Sequence, residues 1–235
     1  SCCGCRSNRG SNPRSGRCKM SDPVLLSDGG HGGYDAGAIG VNGLRESSVT
    51  LQFSIRFAHW FKKLTGETVE QTRKGDSFVG LGDRARMANN LGVPLISWHC
   101  NAYNGAANGV EAFTSPGQTN SDSLATAMLG AYVKENPAVA QRFELSDGDP
   151  DKQARFTVLT KTKKEAVLFE LGFIDSPQDY EFLSDHNWVD RNAKVQARAV
   201  AEFFGLSSAP LPRDPILARL DKLEAEIASI RNKLS

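Results

Sequence analysis

The chain has 235 residues, 40% of them hydrophobic, enough to bury one sizeable core. Its 28 bases and 27 acids leave a net charge of +1, but five bases and no acid fall in residues 1–20, so the rest carries 23 bases against 27 acids, a net of −4. That excludes charge-driven binding of a polyanion by the body, and no apolar run reaches the roughly 18 residues a membrane span needs.

Residues 1–20 hold four of the five cysteines and no apolar stretch. Without a hydrophobic segment they do not read as a secretory signal. The cysteine spacing is not that of paired Cys-x2-Cys knuckles. The expectation is a disordered or expression-derived tail ahead of Met20. Cys100 is the one cysteine of the body, which excludes a disulfide framework there.

The body, residues 21–206, alternates strands and helices. A first strand is expected at 23–28. A helix at 46–64 carries the stripe Val49, Phe53, Phe57, Trp60/Phe61 and Leu64, at three- and four-residue spacing. Gly66 closes it. A short strand at 68–72 precedes a helix at 83–91, closed by Gly92. The segment VPLISW, residues 93–98, is a buried-type strand running into His99. Residues 109–114 form a strand and 121–133 a helix, with a further short helix at 137–143. Strands at 156–160 and 166–171 flank the charged turn KTKKE. Helices follow at 177–184 and 188–204. This interleaving predicts an α/β fold: three layers, with a twisted, mostly parallel sheet of about six strands between helices.

The stretch LLSDGGHGGYDAGAIGVNGLRE, residues 25–46, stands out. Glycines flank His31 on both sides, permitting a tight turn and keeping bulk from the imidazole. In such a sheet, functional groups gather at the carboxyl ends of strands. His31 follows the first strand and His99 ends the strand at 93–98. Glu46 opens the first helix. Glu170 sits in AVLFELGF, where a carboxylate is costly unless used or paired. Two imidazoles and a carboxylate with a fourth position open make a catalytic zinc shell, and Glu170 is a spare carboxylate for a general base. Cys100 should face away from His99, because successive side chains of a strand alternate. His59 and His186 read as structural or exposed. Asp147, Asp149 and Asp151 hint at calcium but fail the EF-hand pattern at its sixth and twelfth positions, so a solvated loop is expected.

The segments SDGGHGGYDAGAIGVNGLRE, SWHCNA, GVEAFTS and VLFELGFIDSPQDYEFL, in this order, resemble the zinc-dependent N-acetylmuramoyl-L-alanine amidases of the Amidase_3 family. The similarity runs from Val24 to Leu206. It implies zinc held by His31, Glu46 and His99, with Glu170 catalytic. The implied reaction is hydrolysis of the amide between N-acetylmuramic acid and L-alanine in peptidoglycan. Two departures are Gly29, where the family usually has proline, and Trp98, where a smaller residue is usual and the pocket wall is expected to change. A zinc peptidase acting within the stem peptide, or a non-catalytic wall-binding module, stays open on these residues alone. Residues 113–156 leave little room for the extra helical lid of some cellular members. An open site and no secretory signal favour an endolysin-type enzyme, made in the cytoplasm and acting on the wall after release.

Residues 207–214 read as a linker, with Pro210 and Pro212. Beyond it Ile216, Leu220, Leu223, Ile227, Ile230 and Leu234 alternate spacings of four and three, the seam of a coiled coil. Residues 215–235 are therefore expected to form a homo-oligomer, a trimer or tetramer rather than a dimer.

Overall fold

The computed structural model describes residues 22–206. The tail expected at 1–20, the linker and the coiled-coil helix lie outside the described residues.

Six strands form one sheet: β1 (Leu25–Gly29), β2 (Val69–Gln71), β3 (Leu95–Asn101), β4 (Glu111–Thr114), β5 (Lys152–Gln153) and β6 (Ala166–Phe173). Their order is β2-β1-β3-β6-β4-β5. β2, β1, β3 and β6 run parallel, while β4 runs antiparallel to β6 and β5 follows β4. Among the described residues six α-helices accompany them, the last two after β6: α1 (Glu46–Thr65), α2 (Leu81–Leu91), α3 (Asn120–Glu135), α4 (Thr157–Thr160), α5 (Pro177–Leu183) and α6 (His186–Phe203).

Alternation along β3 divides the core between two faces. Ile96, Trp98 and Cys100 point toward α1, α3 and α6, and pack with Val167, Phe169 and Leu171 of β6. Leu95 points the other way, with Leu26, Ala88 of α2, Val158 and Leu159 of α4, and Leu168. α1 lays Val49, Phe53, Phe57 and Phe61 on the first face, with all three phenylalanines fully buried. Each is worth roughly 1.5–3 kcal/mol of apolar burial. Gly66 ends the helix in the left-handed region at φ 81°.

Two expectations are corrected. Residues 156–160 form the helical turn α4, not a strand. The neighbours Val158 and Leu159 are both buried, which a strand's alternation does not permit on one face. The sixth strand is instead β5, within the acidic segment. Residues 137–143 form a turn and a bridge to Val110 rather than a helix. Between β4 and β6 the described residues hold α3, β5 and α4, with no further long helix.

Candidate metal centre and active site

The end of β1 is fixed from below by two buried arginines. Asp28 is fully buried and pairs with the Arg84 guanidinium of α2. It also accepts from Thr72 Oγ1 at 2.6 Å and Ser97 Oγ at 2.7 Å. Arg84 goes on to donate to the carbonyls of Gly29 and His31, both at 2.8 Å. Arg73 donates to the carbonyls of Gly29 and Gly30 at 2.8 Å and of Ser47 at 2.6 Å. The chain can therefore leave the sheet at Gly30 with its carbonyls satisfied, and the His31 turn is held against α1 and α2.

His31 itself takes the left-handed conformation, φ 60°. Its Nδ1 lies 2.9 Å from Asp35 Oδ2, and Gly37 N–H donates to the other oxygen of Asp35 at 3.0 Å. Its Nε2 lies 3.1 Å from Glu46 Oε1. The same Oε1 is 2.9 Å from His99 Nδ1 and accepts from Cys100 N–H at 3.0 Å. Ala38 N–H donates to Glu46 Oε2 at 2.9 Å. The two imidazole rings meet edge to face, with centroids 5.0 Å apart.

Two glycines make room for this. A Cβ on Gly30 would stand 2.4 Å from His99 Cε1. A Cβ on Gly37, at φ 66°, would stand 2.5 Å from Glu46 Oε2 and 2.7 Å from His31 Cδ2. The glycines of the loop thus keep bulk away from His99 and Glu46 as well as His31.

Burial alone would raise the Glu46 carboxyl, but the hydrogen bonds from His31 and His99 hold it far below the usual range. Burial works against a charged His31, yet Glu46 and Asp35 outweigh it and raise its proton affinity. One nitrogen from each histidine and one Glu46 oxygen all lie within 4.8 Å of one another. This donor set, two imidazoles and a carboxylate with a carboxylate behind one imidazole, fits a small divalent metal of the zinc type. His31, Glu46 and His99 could therefore hold a metal together.

Glu170 is brought to the same place by sheet register. It pairs with His99 across β3 and β6, and with Glu111 across β6 and β4. Its Oε2 is buried and has no hydrogen-bond partner among the described residues. Burial pushes its carboxyl well above the ordinary range, and the charges of Glu46 and Glu111 add to that. Glu111 is itself neutralised by Arg142 and by Lys152, whose Nζ is 3.1 Å away.

The other singled-out residues fall elsewhere. Trp98 does not line the pocket. It is fully buried on the opposite face, packed at an angle among the rings of Phe53, Phe57 and Phe169, with its indole N–H on Ser27 Oγ at 3.0 Å. Cys100 is buried and free, and burial drives its thiol well above the usual range. His59 and His186 are exposed on α1 and α6. Asp35, Arg73 and Arg84 were not singled out from sequence. Asp35, four residues after His31, is the one with a local signal.

Residues 25–202 match the Amidase_3 family, described as N-acetylmuramoyl-L-alanine amidase. The sporulation-specific N-acetylmuramoyl-L-alanine amidase of Bacillus subtilis is 30% identical over 184 residues, covering 77% of this chain and 68% of that protein. The endolysin of Bacillus phage SPP1 is 30% identical over 205 residues, 83% of this chain and 72% of its own length. Among solved structures, the amidase AmiC2 of Nostoc punctiforme superposes with a TM-score of 0.72 at 25% identity, covering 79% of this chain and 99% of that one. An N-acetylmuramoyl-L-alanine amidase from Clostridium difficile 630 gives 0.72 at 26% identity, covering 79% and 98%. With the match spanning the sheet and every element that builds the site, the chain belongs to the Amidase_3 family of N-acetylmuramoyl-L-alanine amidases.

Proposed function

We propose that the protein hydrolyses the amide between N-acetylmuramic acid and L-alanine in peptidoglycan, with zinc held by His31, Glu46 and His99 and with Glu170 as general base. The observation that carries this reading is the convergence of both histidines on one Glu46 oxygen, with the Glu170 carboxylate, whose Oε2 has no partner among the described residues, on the adjoining strand. Zinc held there supplies Lewis acidity toward the scissile carbonyl and the attacking water.

The chain's own groups do the rest. Asp35 accepts the Nδ1 proton of His31, which leaves Nε2 as the free donor atom. The Ala38 and Cys100 amides fix both oxygens of Glu46. Glu170 takes the proton from the attacking water and returns it to the leaving amine of L-alanine. Its raised proton affinity suits a group that must hold that proton between the two transfers.

Similarity to the phage endolysin favours an endolysin-type lytic role, and no helix among the described residues is long and apolar enough to cross a membrane. We further propose, from the heptad seam alone, that residues 215–235 join several catalytic domains, giving an avidity gain on the wall. Deleting residues after Ala209 should give monomers by light scattering that still cleave small muropeptides.

Mass spectrometry of products from purified sacculi tests the reaction. A new L-alanine amino terminus on the stem peptide, lost on chelation and restored by zinc, is expected. Cleavage between stem-peptide residues would assign a peptidase instead.

A further inference from the structure

At the far end of the sheet from the metal centre lies a second cluster of acids. β4 runs against β6, so its last residue, Thr114, sits toward the starts of the parallel strands. Asp122, in the first turn of α3, and Asp149 and Asp151, just before β5, meet there. One oxygen from each lies within 4.8 Å of the others. Asp122 and Asp151 are only 3% and 1% exposed.

This cluster is short of both charge and donors. No described residue forms a salt bridge with any of the three acids. The nearby Lys152 is engaged by Glu111. Thr114 Oγ1 lies 2.7 Å from Asp151 Oδ2 and 3.1 Å from Asp122 Oδ1, but a hydroxyl has one hydrogen to give. Asp122 Oδ2 is satisfied by Thr119, through N–H at 2.5 Å and Oγ1 at 3.0 Å, as a helix capping box. Asp149 Oδ2 takes Gln118 Nε2 at 3.2 Å. Asp149 Oδ1 and Asp151 Oδ1 remain, both buried and without a donor among the described residues, the two carboxyl groups lying close enough to share one proton. An unpaired buried carboxylate is costly, and here two such oxygens stand beside a third acid.

We propose that Asp122, Asp149 and Asp151 bind a calcium ion that ties the start of α3 to β5. The available donors are all oxygens, and nothing soft is present, which selects a hard cation over zinc or copper. Asp149 and Asp151 come from a loop with Gly148 in the left-handed region, φ 103°, and Asp122 from the first turn of α3, so the ligand set spans a loop and a helix rather than one rigid element. That flexibility suits calcium better than magnesium. Of the expected solvated loop, residues 144–148 are exposed, while Asp151 is buried and accepts from Thr114. The rival occupant is a proton shared between Asp149 and Asp151.

The test is calcium titration of the full chain, freed of metal and followed by calorimetry and thermal melting. One calcium should bind per chain, and at a hundredfold excess over Kd the melting temperature should rise by about 5–10 °C. The same binding should persist in His99→Ala, which separates this site from the metal centre. It should fall at least tenfold in Asp151→Asn and in Asp149→Asn. The latter sits nearer the surface, so it keeps the test open if the former fails to fold. No calcium response at millimolar concentration, a melt that depends on pH alone, or a response unchanged in both variants would overturn the proposal. An equal response to magnesium would overturn the choice of ion.

Discussion

His99 and Glu170 are direct partners on neighbouring parallel strands, β3 and β6, one residue opposite the other. The pairing puts an imidazole and a buried carboxylate on one face at the carboxyl ends of the sheet, and it is set by backbone hydrogen bonds rather than by a loop. In the proposed role of general base, Glu170 placed this way needs no conformational search to reach a group held at His99.

Arg84 is expected to be indispensable to the fold of the site. Arg84→Ala would deprive Asp28, which is fully buried, of the one salt bridge it makes among the described residues. A loss of about 3–5 kcal/mol is expected in urea unfolding. Adding Asp28→Asn should restore part of it, since the uncompensated charge would be gone. Additive losses in the double variant would show that the pair is not coupled.

Gly30→Ala should separate stability from function. The new methyl would press on the His99 ring, while the backbone at Gly30 is not in the left-handed region. Metal content and turnover are expected to fall together, turnover by about 10²-fold, with little change in the melting temperature. Full activity in this variant would mean that His99 has room the structure does not give it.

Asp35→Ala removes the acceptor behind His31. The imidazole then loses both its orientation and its fixed tautomer. Metal affinity, read by competition with a chromogenic chelator, should weaken by about 10–100-fold. Asp35→Asn should be milder, because the amide oxygen can still accept the Nδ1 proton.

Much of this arrangement was legible in the sequence, for physical reasons. The glycine-flanked His31, the strand running into His99 and the acid in an apolar run at Glu170 are local patterns, and period-2 alternation correctly turned Cys100 away from His99. The alternation rule also applied to Trp98, and it places that ring in the core rather than in the pocket wall. What the sequence hid is long-range. Nothing near Arg73 or Arg84 announces that two guanidinium groups from separate segments would hold the carbonyls of residues 29–31. The acids at 122, 149 and 151 come from two segments that meet only once β5 joins the sheet. The run at 156–160 was too short for periodicity to separate a helical turn from a strand.

The central claim divides the site into three metal ligands and one base, and a single measurement separates them. Metal content and turnover are compared for the parent, His99→Ala and Glu170→Gln, all purified with zinc. His99→Ala should lose metal and activity together. Glu170→Gln should keep about one zinc per chain while turnover falls by about 10²–10⁴-fold. A zinc-replete, active His99→Ala protein, or a Glu170→Gln protein working at the parental rate, would contradict the account.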